Sequence, residues 1–187
     1  MENFRSFYGG AQISNKGNNN EISICSRLRG VGTLKIIIKG NNNKVIIGKR
    51  CQLCQTNTIF ITGDNNTVEI GDHVYFDQNV SLVCCEGTSI RIGDDCMLAN
   101  GVRLRTSDQL PIYNGASERI NFPQNVTVGN HVWIGATCVV MKGVEIGKGS
   151  IIGINSMVTK SIPENVVAVG SPCRVIKSNV YWERKFK

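Results

Sequence analysis

The sequence contains few aromatic residues and no long apolar segment. Phenylalanine, tryptophan and tyrosine make up only 6% of its 187 residues, too few for a core built on large rings. No apolar run approaches the length of a membrane span, and residues 2–17 contain no apolar stretch of signal-peptide length. We therefore expect a single domain spanning residues 1–187, located in the cytoplasm and without membrane insertion.

Positive charge predominates, but it lacks the pattern of a nucleic-acid site. The chain carries 21 lysines and arginines against 14 aspartates and glutamates, a formal net charge of +7. The basic residues are spread along the chain and are not interleaved with aromatic residues in a motif. The sequence therefore does not predict nucleic acid as a partner.

Branched aliphatic residues recur every six positions in the last third of the chain, at Val128, Ile134, Val140, Ile146, Ile152 and Val158. Glycine follows four of them directly, and we expect it to supply the backbone freedom that a corner requires. A helix repeats about every 3.6 residues and a strand about every two, so a period of six fits neither. It is typical of hexapeptide repeats, in which three short strands form one triangular coil.

The same period continues upstream with interruptions. Further inward triplets are predicted at Ile47, Leu53 and Ile59, at Ile70, Phe76 and Leu82, and at Ile92, Leu98 and Leu104. Surpluses of five, four and eighteen residues follow the three triplets, and we expect them to form loops at one corner. The prediction is an all-β parallel β-helix with irregular coils over residues 17–105, an extruded loop over about 106–123, regular coils over 126–161 and a C-terminal cap over 162–187.

Strings rich in asparagine recur at 23-residue intervals in the irregular coils. They read GNNN at 17–20, GNNN at 40–43 and GDNN at 63–66. Asparagine and glycine tolerate left-handed backbone and suit tight turns. We predict that these asparagines stack into ladders along the helix axis and do not bind a ligand.

Eight cysteines permit disulfides or a metal site, but neither is predicted. Disulfides are rare in the cytoplasm, and structural zinc needs clustered ligands. The candidate clusters are Cys51-x-x-Cys54 and the adjacent Cys84 and Cys85, and Cys51 falls where the repeat places a small inward residue. We expect no metal ion, and thiols that serve as small core residues.

Three segments carry a resemblance to a known family. They are GNHVWIG at 129–135, MVTKSIPENVVAVGSPCRVI at 157–176 and RTSDQLPIYN at 105–114. They resemble the left-handed parallel β-helix acyltransferases with hexapeptide repeats, in particular the sugar and polysaccharide O-acetyltransferases of the galactoside and maltose acetyltransferase type. The resemblance implies left-handed coiling, a homotrimer with active sites between neighbouring subunits, and acetyl-CoA as co-substrate.

By motif position, the resemblance implies an acetyl-CoA groove lined by Ala136, Ile154, Thr159, Lys160, Arg174 and Lys177. Backbone groups of Ala136 and Ile154 would bond the pantetheine amides, and the basic side chains would meet the phosphates. Trp133 would flank the thioester in a catalytic role, or else shield a contact between subunits. The chain reads Gly-Ile-Asn-Ser at 153–156 where the family has Gly-Ala-Gly-Ser, and larger side chains there would narrow the groove.

The general base that the family supplies is missing. Transfer to a hydroxyl needs a base, because an alcohol is a weak nucleophile at neutral pH. The family has histidine in a phrase of the type Ser-Asp-x-His-Pro-Ile-Tyr, and this chain has Leu110 at that position. Asp108 is the candidate substitute, although an unperturbed carboxyl pKa of about 4 makes it a weak base. His73 and His131 occupy outward turn positions, where we expect solvated side chains.

The sequence predicts an acetyl-CoA-dependent O-acetyltransferase acting on a sugar or polysaccharide hydroxyl, with its activity in question because of Leu110. Two alternatives are a sugar N-acetyltransferase, for which an amine acceptor would ease the lack of a base, and a non-catalytic structural or ligand-binding β-helix protein. The zinc carbonic anhydrases of β-helix type need three histidine ligands, which a chain with two histidines does not supply.

Overall fold

The structure, a computed structural model, describes residues 4–8 and 10–184. These residues form 22 β-strands and no helix, so none of their segments is a helix long and apolar enough to cross a membrane. In chain order the strands are β1 (Phe4–Tyr8), β2 (Ala11–Lys16), β3 (Glu21–Ile24), β4 (Arg29–Gly30), β5 (Leu34–Lys39), β6 (Lys44–Ile47), β7 (Gln52–Leu53), β8 (Asn57–Thr62), β9 (Thr67–Ile70), β10 (Tyr75–Phe76), β11 (Ser81–Cys85), β12 (Ser89–Ile92), β13 (Met97–Leu98), β14 (Arg103–Arg105), β15 (Val126–Val128), β16 (Trp133–Ile134), β17 (Val139–Val140), β18 (Glu145–Ile146), β19 (Ile151–Ile152), β20 (Met157–Val158), β21 (Val166–Val169) and β22 (Arg174–Ser178).

Three sheets run side by side along the molecule. Sheet A has the order β1-β2-β5-β8-β11-β14-β17-β20, sheet B the order β3-β6-β9-β12-β15-β18, and sheet C the order β4-β7-β10-β13-β16-β19-β21-β22. Neighbouring strands are parallel except in the end pairs β1–β2 and β21–β22. From β2 to β20 the chain visits the sheets in turn, which confirms the parallel β-helix. We name its corners A/B, B/C and C/A after the sheets that meet there.

The core contains the residues that the hexad predicts. The six aliphatic residues from Val128 to Val158 are each at most 1% exposed, and the nine upstream triplet residues are each at most 2% exposed. They stack in register along each sheet, as in the pairing of Val128 with Ile146. The assignment of inward positions is therefore confirmed, and the hydrophobic stack stabilises the helix along its whole length.

Glycine follows the inward residues for a different reason from the one expected. At Gly129 and Gly147 the backbone φ is not positive, so no left-handed conformation requires glycine there. A Cβ atom on Gly129 would lie 2.8 Å from the backbone nitrogen of Lys148, and one on Gly147 would lie 2.4 Å from that of Glu164. Close approach of the next coil therefore excludes a side chain at these positions.

The surplus residues of the N-terminal coils mostly lengthen strands. Successive coils advance 18 residues where Val139 pairs with Met157, but 23 residues where Lys35 pairs with Thr58. In these longer coils the sheet A strands reach six residues, and Ile61 enters the core two positions after Ile59. The prediction that the surplus forms loops is wrong for these coils, although the long excursion between β14 and β15 is an extruded loop.

The asparagine ladder is confirmed at corner A/B. The amide nitrogen Nδ2 of Asn43 donates to Oδ1 of Asn20 at 3.1 Å, and that of Asn66 donates to Oδ1 of Asn43 at 2.9 Å. Backbone N–H groups of Asn43 and Asn66 donate to the same two oxygens. Each side chain thus satisfies polar groups of the neighbouring coil, which explains asparagine at buried turn positions.

Most thiols are core residues, as predicted. Six of the eight cysteines are buried, whereas Cys25 is exposed and Cys54 is half-buried, and all eight are free. Burial raises the pKa of the Cys51 thiol to about 11 and that of Cys96 to about 12, so both remain protonated at neutral pH. Across the described part of the chain, no three His, Cys, Asp or Glu residues are grouped as a metal would need.

The C-terminal residues follow two paths. Strand β21 adds to sheet C and β22 folds back against it, which closes the C-terminal end of the stack. Residues 180–184 then run back along corner B/C. The N–H of Val180 donates to Asn165, Trp182 contacts His131, and Arg184 reaches Asp95. The last three residues of the predicted cap, 185–187, lie outside the described residues.

Candidate active site

Trp133 and Lys177 lie on the outer face of sheet C, in one row of cross-strand partners. Trp133 pairs with Met97 on one side and with Ile151 on the other. Ile151 pairs with Val167, which pairs with Lys177. Trp133 is 40% exposed. Its side chain points outward because the adjacent hexad residue fills the inward position of this two-residue strand.

Ala136 and Ile154 occupy equivalent positions at corner C/A in successive coils. The N–H of Asn155 donates to the carbonyl oxygen of Ala136 at 2.9 Å, and Ile154 is 67% exposed. Asn155 has a φ of 58°, which asparagine tolerates and which accounts for glycine in the family phrase. Arg174 begins β22 beside the same corner, opposite Val169.

Thr159 and Lys160 lie at corner A/B, directly after β20. Both are exposed. Within the described residues, Lys160, Arg174 and Lys177 have no carboxylate within 4.0 Å. The C-terminal coils therefore present three cationic side chains whose charges are available to an anionic ligand.

The extruded loop is fixed at its base by Asp108. Its Oδ2 accepts hydrogen bonds from Nζ of Lys142 at 2.5 Å and from Nδ2 of Asn121 at 2.8 Å. These two donors, Lys142 foremost, hold the pKa of Asp108 below its ordinary value. Asn121 also donates to the carbonyl oxygen of Leu110 at 2.8 Å, and its Oδ1 accepts from the N–H of Ile112 at 2.6 Å.

A second ion pair closes the same loop from the neighbouring turn. Arg119 lies 2.7 Å from Glu86, and the hydroxyl of Ser107 donates to that carboxylate. The hydrogen bonds from Arg119 and then Ser107 lower the pKa of Glu86. Both carboxylates near residue 110 are therefore ionised and paired at neutral pH, which makes them weak proton acceptors.

Leu110 itself supplies no proton acceptor. Its side chain is 74% exposed at the surface of the extruded loop, and Asn121 holds its backbone. The structure thus fixes the backbone of residue 110, while its side chain projects from the surface of this chain.

Neither histidine lies beside the extruded loop. Both are at corner B/C, with left-handed φ values of 59° for His73 and 55° for His131, whereas the loop leaves corner A/B. His73 is exposed as expected. The expectation of a solvated side chain is wrong for His131, because its ring stacks on Trp182 with centroids 4.0 Å apart and both ring nitrogens are hydrogen-bonded.

Sequence reasoning missed Lys142 and Asn121. It expected the segment that contains Trp182 to cap the C-terminal end of the stack, whereas Trp182 packs on His131 at corner B/C. Lys142 stands 18 residues before Lys160, one coil earlier at the same corner, so the repeat itself could have indicated it. Asn121 lies in the non-repeating loop, and Trp182 lies in the tail and contacts a residue 51 positions away. No periodic signal identifies these two residues.

Two hexapeptide-repeat families match parts of this chain. Residues 125–160 match the family described as bacterial transferase hexapeptide (six repeats), and residues 67–105 match the hexapeptide repeat of succinyl-transferase. Both matches fall on coils of the β-helix, and the first covers the regular coils that carry Trp133, Ala136 and Ile154.

Several individual proteins similar to this chain are named as acetyltransferases. The crystal structure of the polySia specific acetyltransferase NeuO is 30% identical and superposes with a TM-score of 0.76, covering 96% of this chain and 92% of that one. Galactoside acetyltransferase in complex with coenzyme A is 32% identical with a TM-score of 0.54, covering 69% and 66%. Galactoside O-acetyltransferase of Escherichia coli K12 is 42% identical over 105 residues, 54% of this chain and 50% of that protein.

This chain belongs to the hexapeptide-repeat acyltransferases. It spans about half the length of the galactoside O-acetyltransferase that it matches. The similarity extends along nearly all of the NeuO chain.

Proposed function

We propose that the protein is an acetyl-CoA-dependent O-acetyltransferase acting on a sugar or polysaccharide hydroxyl in the cytoplasm, in polysaccharide biosynthesis. The observation that carries the proposal is the set of unpaired cations Lys160, Arg174 and Lys177 on the same C-terminal coils as the outward Trp133. A relative of the same fold is in complex with coenzyme A.

In this proposal different groove residues bind different parts of acetyl-CoA. The backbones of Ala136 and Ile154 at corner C/A bond the pantetheine amides, and the exposed cations bind the phosphates. Thr159 lines the groove beside Lys160. Trp133 flanks the thioester with the face of its indole.

The reaction transfers an acetyl group from sulfur to oxygen. The acceptor hydroxyl attacks the thioester carbon, the carbon–sulfur bond breaks, and the proton lost by the hydroxyl ends on the leaving thiolate. A base normally carries that proton, and residue 110 provides none. Asp108 is paired with Lys142 and has a lowered pKa, so we assign it to positioning the loop. Acetyl transfer is then slow, or a basic group on the acceptor itself removes the hydroxyl proton.

The outer faces of the sheets support a homotrimer. Sheet B carries ion pairs outward, Lys44 with Glu21 at 3.4 Å and Arg91 with Glu69 at 3.5 Å. Sheet C instead carries an apolar outward row, which is Tyr75, Met97, Trp133, Ile151 and Val167. The outer face of sheet A is mixed, because the row of Ile37, Phe60 and Val83 continues to Arg105, and the row of Val139 and Met157 includes Arg103. Contact of face A on one copy with face C on the next is heterologous, and a rotation of 120° between copies would close it into a ring of three.

The extruded loop supports the same assembly. Four of its apolar side chains, Leu110, Ile112, Ile120 and Phe122, are between 51% and 74% exposed. Exposed apolar side chains grouped on one projecting segment mark a contact surface. We place this surface against a neighbouring copy, so that residue 110 reaches the neighbour's groove.

The assembly can be measured directly. Light scattering is expected to give a mass of three times the 20.5 kDa of one chain at micromolar concentration. Phe122→Ser should shift the mass toward that of one chain, because it removes an exposed apolar anchor. A parent protein that scatters as a single chain would remove the composite site.

Cofactor binding can be tested at Lys160. Lys160→Ala is expected to weaken CoA by on the order of 1–3 kcal/mol through the loss of one charge-assisted contact. Lys44→Ala is the matched control, because it removes the same charge from the outer face of sheet B. Equal CoA affinity for the two variants in calorimetry would contradict the placement of the phosphates.

The activity itself is tested by product mass. The protein is mixed with acetyl-CoA and a panel of neutral, acidic and amino glycans, and an added acetyl group on a hydroxyl-bearing glycan is expected. Acetylation confined to amino sugars would instead identify the N-acetyltransferase. CoA binding without any product would identify a non-catalytic binder, the alternative that Leu110 favours.

A further inference from the structure

The C-terminal tail, residues 180–184, packs on His131, which lies two positions before Trp133. We call the contact of Trp182 with His131 the clasp. Trp182 stacks on His131 at a centroid distance of 4.0 Å and an interplanar angle of 7°. Its indole Nε1–H donates to the His131 carbonyl oxygen at 2.9 Å, and its own carbonyl oxygen accepts from Nε2 of His131, also at 2.9 Å. Trp182 is only 8% exposed, so this tail residue is buried against the β-helix.

A second anchor lies two residues further along the tail. Nε of Arg184 donates to Oδ1 of Asp95 at 2.7 Å, and Nη2 donates to the carbonyl oxygens of His73 and Cys96, each at 3.1 Å. Oδ2 of Asp95 in turn faces Nδ1 of His131 at 2.6 Å. The tail is therefore tied to three successive coils through one connected network.

The imidazole of His131 has a hydrogen-bond partner at each ring nitrogen. Its partners are a carboxylate oxygen of Asp95 and the carbonyl oxygen of Trp182, and both are acceptors. The Asp95 carboxylate contacts both His131 and Arg184, so it joins the two anchors of the tail.

The clasp brings a second indole against Trp133. The ring centroids of Trp133 and Trp182 are 6.0 Å apart with planes tilted by 51°, within the range of favourable aromatic pairs. Trp133 projects from a two-residue strand and is 40% exposed. Met97 and Ile151 are its cross-strand neighbours, and the Trp182 ring adds an aromatic contact that restricts the rotamers open to Trp133.

We propose that Trp182 is a positioning residue that fixes the indole of Trp133, so that the C-terminal tail forms one wall of the acetyl-transfer site. The assignment rests on the proposed function only in placing Trp133 at the thioester. Displacement of a positioned group by about 1 Å can lower turnover by about 10²-fold. If the Trp182 contact is lost and the Trp133 ring can move, kcat should therefore fall more than the KM for acetyl-CoA changes.

The chain contains two tryptophans, so after Trp182 is replaced, tryptophan emission reports on Trp133 alone. Trp182→Phe keeps a ring beside Trp133, whereas Trp182→Leu removes it, and both lose the Nε1–H bond. In the Leu variant, relative to the Phe variant, we expect red-shifted emission, stronger acrylamide quenching and a kcat lower by about tenfold. Identical quenching in the two variants would overturn the proposal, as would equal kcat values despite different quenching.

Arg184→Gln tests the anchor without touching either indole. We expect it to increase the quenching of Trp133 in the Trp182→Phe background, because the tail loses its contact with Asp95. Unchanged quenching there would show that the tail does not act on Trp133. The fluorescence measurements need no substrate. A parent protein without transferase activity would contradict the proposed function, but the quenching data would still show whether Trp182 positions Trp133.

Discussion

Leu110→His is expected to raise turnover by about 10²- to 10⁴-fold, the usual contribution of a general base. The loop already holds the backbone of residue 110 through Asn121 at 2.8 Å. The side chain is 74% exposed, so the substitution should not disturb the fold. An unperturbed histidine pKa of about 6.5 leaves the ring largely neutral at pH 7, and the rate should rise with pH through that value.

A thiol-release assay on the Leu110→His and Leu110→Asn variants measures this effect. Asparagine is the matched control, because it is polar but has no proton acceptor of suitable basicity. CoA affinity should be nearly the same in the parent and both variants, since residue 110 takes no part in binding the donor. A parent that already turns over as fast as Leu110→His would show that another base operates, and Asp108→Asn would then be the variant to examine.

Ile146→Asp is expected to destabilise the protein by several kcal/mol, because it buries an ionisable group without a partner. Ile146 is 0% exposed and pairs with Val128 in sheet B. Its neighbours in the stack are aliphatic along the whole sheet, so no hydrogen-bond donor is at hand for the carboxylate.

Thermal or urea unfolding measures the loss of stability in Ile146→Asp. Ile176→Asp is the control, since it makes the same chemical change on β22 at a side chain that is 64% exposed, where we expect little effect. A melting temperature of Ile146→Asp within a degree or two of the parent would contradict the inward assignment.

The core could be predicted because its geometry repeats. A six-residue period excludes helices and simple strands, and it identifies one side chain per strand as inward. The asparagine ladder was predictable for the same reason, since equal 23-residue spacing brings Asn20, Asn43 and Asn66 into register. The longer strands of the early coils were not predictable from the hexad, because an inward residue such as Ile61 follows the two-residue strand period instead.

The candidate site was predictable only where it lies on the repeat. Motif positions predict roles for Trp133, Ala136 and Ile154, which lie on coils or corners of the regular stack. The ion pair of Asp108 with Lys142 crosses 34 residues, and the clasp of Trp182 on His131 crosses 51. Such contacts depend on the paths of an extruded loop and of a tail, which no local pattern specifies.

Calorimetric titration of the parent protein with acetyl-CoA tests the central claim most directly. The proposed groove predicts saturable binding of one acetyl-CoA per chain, weakened by Lys160→Ala and unaffected by Lys44→Ala. Absence of binding to the parent at millimolar acetyl-CoA would contradict the acetyltransferase assignment and leave a β-helix protein with another role.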